Sequence, residues 1–145
     1  MSGPSAEPLV RRFLDALLAG DEGALRETLA ADAVLVLPRP GMSGQTIAGA
    51  DNLAAALGGL IRRYRDATAR YGTVLADERS AAVEWRLTAK LVSNGADYEQ
   101  FYCWVFDVAE GRIAEIREYI DTAYGRRMSD ATSDTVLSER AGDER

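Results

Sequence analysis

The chain has 145 residues, of which 47% are apolar, and carries a formal charge of −6 without a single histidine. That length predicts one domain, and the acidic balance, with a sequence pI near 4.7, excludes the basic face that nucleic-acid binding needs. With no histidine, Ser–His–Asp triads, Cys–His pairs and histidine-ligated zinc are excluded, and no apolar run reaches the roughly 20 residues of a membrane helix.

Residues 1–7 read as a flexible leader, and MSGPSAEP has no basic flank before an apolar stretch, so the cytoplasm is the default location. From Pro8 onward, Leu9, Phe13 and Leu17 recur every four positions with Val10 and Leu14 beside them, which predicts an amphipathic helix ending at Gly20. Asp21 suits the cap of a short second helix carrying Leu25 and Leu29. Ala33–Leu37 reads as a strand stopped by Pro38 and Pro40, and Gly41–Gly49 as a flexible loop that lacks the spacing of a phosphate-binding loop. Asp51 is the expected cap of a third helix, with Leu53, Leu57, Leu60, Ile61 and Tyr64 along one side.

The period then shifts to two. Thr73–Leu75 opens a sheet, Ser80–Val92 and Tyr98–Val108 are long strands joined at Asn94-Gly95, and Glu110-Gly111 turns into a last strand, Arg112–Asp121. Residues 126–145 are polar with scattered charges and read as a disordered tail. Three helices followed by a strand meander make an α+β pattern.

Strand parity sorts the faces of the sheet. Val83, Trp85, Leu87, Ala89 and Leu91 form a dry face, with Glu84, Arg86, Thr88 and Lys90 opposite. In the last strand Ala114, Ile116 and Ile120 share an apolar stripe with one carboxylate, Glu118. Such a group is kept either because a structural partner satisfies it or because it acts on a ligand. The middle strand is apolar on both sides: Gln100, Tyr102, Trp104 and Phe106 on one, Phe101, Cys103 and Val105 on the other. A strand with two apolar faces needs cover on both, so a homodimer through the second face is expected. Cys103 is the one cysteine, which excludes an internal disulfide, and its expected role is that of a small buried hydrophobe.

Three segments carry a resemblance: VRRFLDALLAGDEGALRETLAADAVLVLP at 10–38, VEWRLTAKL at 83–91, and YCWVFDVAEGRIAEIREYIDTA at 102–123. Together they resemble the nuclear-transport-factor-like superfamily over residues 8–124, and its SnoaL-like branch most of all. That likeness implies a conical half-barrel over residues 8–125: a strongly curved antiparallel sheet with about three N-terminal helices on its concave face, enclosing a pocket. It also implies a homodimer. The tyrosine, general base and acid of ketosteroid isomerase fall on Phe13, Leu37 and about Cys103, so that machinery is missing. The water-positioning set of limonene epoxide hydrolase falls on Leu35, Leu37, Trp85, Leu87 and Glu118, and only the last keeps a carboxylate. Scytalone dehydratase relies on histidines, which this chain lacks.

The resemblance thus implies a pocket touched by Leu35, Leu37, Tyr64, Trp85, Leu87, Gln100, Trp104 and Ile116, with Glu118 and Tyr102 as its catalytic candidates and no metal or cofactor. An apolar cavity of this kind suits ring closure in a hydrophobic, polyketide-like substrate better than hydrolysis. An isomerase or dehydratase working through Glu118, and a ligand carrier without turnover, are the other readings of the same residues.

Overall fold

A computed structural model describes residues 3–39 and 42–129. Helix α1 spans Glu7–Ala19, with Pro8 in its first turn and Gly20 closing it in the left-handed region at φ 65°. Helix α2 is Glu22–Thr28, capped as expected by the Asp21 carboxylate, which accepts from the Ala24 N–H at 2.9 Å. Strand β1 is Leu29–Arg39 and β2 is Met42–Ala48. Helix α3 is Ala50–Ile61, and strands β3 (Tyr64–Ala76), β4 (Ser80–Leu91), β5 (Asp97–Ala109) and β6 (Arg112–Ile120) follow before helix α4 at Thr122–Ser129.

The six strands form one curved, unclosed sheet in the order β2-β1-β6-β5-β4-β3. Strands β3 to β6 are the expected antiparallel meander. Strand β1 runs parallel to β6, an exception to the all-antiparallel expectation. The parallel pairing is possible because the long excursion through β2, α3 and the meander brings the chain back beside its start.

Several local expectations change. Gly41–Gly49, expected as a loop, contains β2, whose residues pair with β1 from Val34↔Ala48 to Arg39↔Met42. Tyr64 belongs to no helix. Helix α3 ends at Ile61, and Tyr64 opens β3 opposite Leu91. Two register shifts, at Arg65/Thr68 and Tyr71/Val74, break the alternation of β3, which is why its period-two signal is weak in the sequence. The α3 N-cap is Gly49 (φ 94°), while Asp51 pairs with Arg26 at 2.8 Å. The turn at Glu110 and Gly111 holds both residues at positive φ, 52° and 72°, as a tight hairpin requires.

The expected leader is tied down where it is described: Gly3 N–H donates to Glu78 and Ala6 N–H to the Asp77 carbonyl. Helix α4 crosses the expected start of the tail at residue 126, and residues 130–145 of that tail lie outside the described residues.

The core lies between the helices and the inner face of the sheet. The β4 residues Val83, Trp85, Leu87, Ala89 and Leu91 are buried and alternate with exposed or half-buried neighbours, as parity demands. Phe13 of α1 sits against that face, with ring centroids 6.0 Å from Trp104 and 5.7 Å from Phe106.

Candidate functional site

The register of β4, β5 and β6 sets the site. Trp85 pairs with Tyr102, Leu87 with Gln100, Trp104 with Glu118, and Phe106 with Ile116. Strand β1 adds Leu35 beside Ile116. Leu35, Leu37, Tyr64, Trp85, Leu87, Gln100, Trp104 and Ile116 are all buried, whereas Tyr102 and Glu118 are half-buried. The structure therefore places the expected residues on one face of the sheet, with the two catalytic candidates less covered than the rest.

Aromatic rings dominate this face. Trp85 stacks on Tyr102 (centroids 4.2 Å apart, planes 14° apart) and meets Trp104 edge to face at 5.4 Å. Tyr64 and Tyr98 lie 4.9 Å apart, and the Tyr98 and Tyr102 hydroxyls are 3.3 Å apart, at the limit of a weak hydrogen bond. Tyr98 and Tyr124 extend the cluster, and the Tyr124 hydroxyl accepts from the Glu99 N–H. Tyr98 and Tyr124 are not among the residues expected from the sequence. Tyr98 shares the inner face with Tyr102 by its even number, a signal that was available, whereas Tyr124 arrives through α4.

The Tyr102 phenol is pushed well above its ordinary value of 10, first by burial of its hydroxyl and then by Tyr64, Tyr98 and the Glu118 carboxylate nearby. At neutral pH Tyr102 keeps its proton, so it can donate a hydrogen bond and cannot act as a base. Glu118 is the carboxylate close enough to influence it.

Gln100 is 2% exposed, and both ends of its amide are engaged by backbone. Nε2 donates to the Asp121 carbonyl at 3.1 Å, and Oε1 accepts from the Phe101 N–H at 3.0 Å. This amide pins the end of β6 to β5 beneath Tyr102.

The indole N–H groups differ. Trp85 is 5% and Trp104 1% exposed, and among the described residues neither Nε1 has a hydrogen-bond partner. A buried donor left unpaired costs about 1–3 kcal/mol, so two in one cluster are a substantial burden on a small domain.

Two hollows open on the surface. One of about 670 Å³ lies between the start of α1 and the hairpin ends near Arg79 and Glu110, away from the expected site residues. The other, about 290 Å³, lies over β3–β5 and is lined by Tyr71, Gly72, Trp85, Arg86, Phe101 and Tyr102 among others, so it touches two of the expected site residues. Among the described residues, no cluster of carboxylates and cysteine could hold a metal ion. No helix is long and apolar enough to cross a membrane.

On the outer face Phe101 is 62% and Tyr119 47% exposed; half-buried Cys103 lies opposite Tyr119, and half-buried Val105 follows along β5. Arg117 sits beside Val105 and is paired with Asp107 at 2.7 Å and with Glu115.

A curved, unclosed sheet with helices on its inner face and an aromatic interior defines the nuclear-transport-factor-like α+β class. Within that class, the sequence profile of the SnoaL-like domain matches residues 10–116, and the chain belongs to that family. Its fold is similar to an NTF2-like protein of Burkholderia xenovorans LB400, with 24% identity over 83% of this chain and 92% of that one and a TM-score of 0.67. A candidate SnoaL-like polyketide cyclase of Jannaschia sp. CCS1 is 18% identical over 87% and 91% of the two chains, with a TM-score of 0.73. An LEH-like epoxide hydrolase of M. tuberculosis is 22% identical over 92% and 96%, with a TM-score of 0.67. At these identities the likeness is one of fold. No curated protein matches the sequence.

Proposed function

We propose that this protein is a small-molecule cyclase of secondary metabolism that closes a ring in a hydrophobic, polyketide-like substrate held against the inner face of the sheet. The observation that carries this reading is the placement of Glu118, opposite Trp104 and one residue pair along from Tyr102 on the same face, beside an aromatic, otherwise apolar interior. A carboxylate can take a proton from the carbon between two carbonyls. The C–H electron pair becomes the enolate, whose carbon attacks a further carbonyl in the same chain, and the new alkoxide takes back the proton held by Glu118, directly or through Tyr102, which Glu118 then reprotonates. The aldol closure is an isomerisation and needs no oxidant, metal or co-reactant. Trp85, Trp104 and Phe13 supply the shape that holds the flexible chain folded.

The buried Leu35, Leu37 and Leu87, which stand where the resemblance to epoxide hydrolase implies polar groups, favour a second reading as a ligand carrier without turnover. An isomerase or dehydratase working through Glu118 would share the first chemical step. Exposed Phe101 and Tyr119 support a homodimer through the outer face, as does internal pairing of Arg117, which lets the charge be covered.

The deciding experiment incubates the full chain with synthetic linear poly-β-ketone thioesters and follows mass-neutral ring closure by chromatography and mass spectrometry. If Glu118 transfers a proton, Glu118→Gln lowers kcat/KM by ~10²–10⁴-fold. If templating dominates, that change costs less than about tenfold, and Trp85→Ala or Trp104→Ala costs more. Turnover by wild type that none of the three variants alters would refute both mechanisms. Binding of the thioesters without any turnover would establish the carrier.

A further inference from the structure

We infer that the Trp85 and Trp104 indole N–H groups together form a donor pair for an acceptor oxygen of the ligand, so the substrate class is a flat, apolar ketone, enone or enolate. The inference rests on the interior being the ligand site, as proposed above, and adds which functional group is read there and by which residues.

Four observations converge. Both indoles are at least nine-tenths buried, and neither Nε1 has a partner among the described residues. The two rings touch, edge to face at 5.4 Å, so their unmet donors belong to one cluster. Of the other polar groups close by, the Tyr71 hydroxyl, opposite Trp85, is likewise buried without a hydrogen-bond partner among the described residues, and it can donate or accept. Gln100 is engaged by backbone at both ends, and Tyr102 retains its proton. The face therefore offers two indole donors, with the Tyr71 hydroxyl beside them and the Glu118 carboxylate near Tyr102. Such a site rewards a ligand that brings an oxygen acceptor to the indoles next to an acidic C–H.

An indole N–H lacks an acceptor lone pair, so neither tryptophan can satisfy the other by an ordinary hydrogen bond. An N–H pointed at a neighbouring ring face is the competing explanation for the missing partners. It predicts that no ligand oxygen reaches these groups.

The chain contains two tryptophans, so an amide-type ¹H–¹⁵N spectrum of the uniformly labelled full chain shows two indole cross-peaks, both from this site. The probes are 1-tetralone and tetralin, bicyclic molecules of near-equal size that differ in one carbonyl. The expected result is that 1-tetralone moves both indole peaks downfield and binds about tenfold more tightly than tetralin, which leaves both near their free positions. Replacing either tryptophan by 3-benzothienylalanine, which keeps the ring shape but has no N–H, should remove most of that tenfold preference. It should also leave the apo protein at least as stable, because an unpaired donor has been removed.

If both probes bind with equal affinity and perturb interior methyl groups such as those of Leu87 and Ile116, the interior is a ligand site but the donor pair is refuted. If neither probe perturbs the interior, the inference fails together with the reading on which it rests. A downfield shift of one indole alone refutes the pair.

Discussion

Gln100→Met tests whether this buried amide is a structural tie or a ligand contact. Methionine keeps the length and apolar stem of glutamine but removes the bonds to the Asp121 carbonyl and the Phe101 N–H. Two hydrogen bonds at about 0.5–1.5 kcal/mol each set the gross loss, and the easier burial of a thioether offsets part of it, leaving about 1–2 kcal/mol. At about 2–4 °C per kcal/mol for a chain near this size, the melting temperature should fall by about 2–8 °C. The assay is thermal unfolding by circular dichroism at fixed protein concentration, with 1-tetralone affinity measured below the transition. The reasoning is refuted if the melting temperature is unchanged while the ketone binds tenfold more weakly, because Gln100 would then face the ligand.

Three further outcomes follow from the structure. Val105→Arg, on the outer face two residues beyond Cys103 and its neighbour Tyr119, should convert the proposed dimer to monomers in sedimentation velocity, and an unchanged sedimentation coefficient for a well-folded variant would place the interface elsewhere. Tyr102 should resist ionisation in a spectrophotometric titration, because its folded pKa is raised by burial. Its contribution to stability is then complete below the unfolded pKa near 10 and is lost as pH climbs above that value toward the folded one, so alkaline unfolding should be shallower in Tyr102→Phe. Asp107 behaves in the opposite sense. Held low chiefly by its bond to Arg117, it supports the fold above the unfolded carboxylate range and loses that role as pH falls through its own lowered value, which Asp107→Asn should flatten at the acid end.

The sequence by itself determined the elements whose signals are local or strictly periodic. The α1 stripe from Leu9 to Leu17, the Gly20 stop, the Asp21 cap and the alternation from Val83 to Leu91 each follow from spacing along a regular helix or strand. Parity also put Trp85, Leu87, Trp104 and Ile116 on buried faces before any partner strand was known. The extent of β3 was decided by tertiary structure, because two bulges interrupt its alternation and only pairing with β4 holds Tyr64 in a strand. Strand β2 likewise forms because β1 offers it an edge; its own residues, MSGQTIA, carry a loop's composition. Which polar groups are satisfied was never legible in one dimension. The Gln100 amide meets a carbonyl 21 positions away, whereas the Trp85 and Trp104 N–H groups meet none among the described residues. A side chain's type states what it can donate, but only the packing of distant segments around it decides whether an acceptor is within reach.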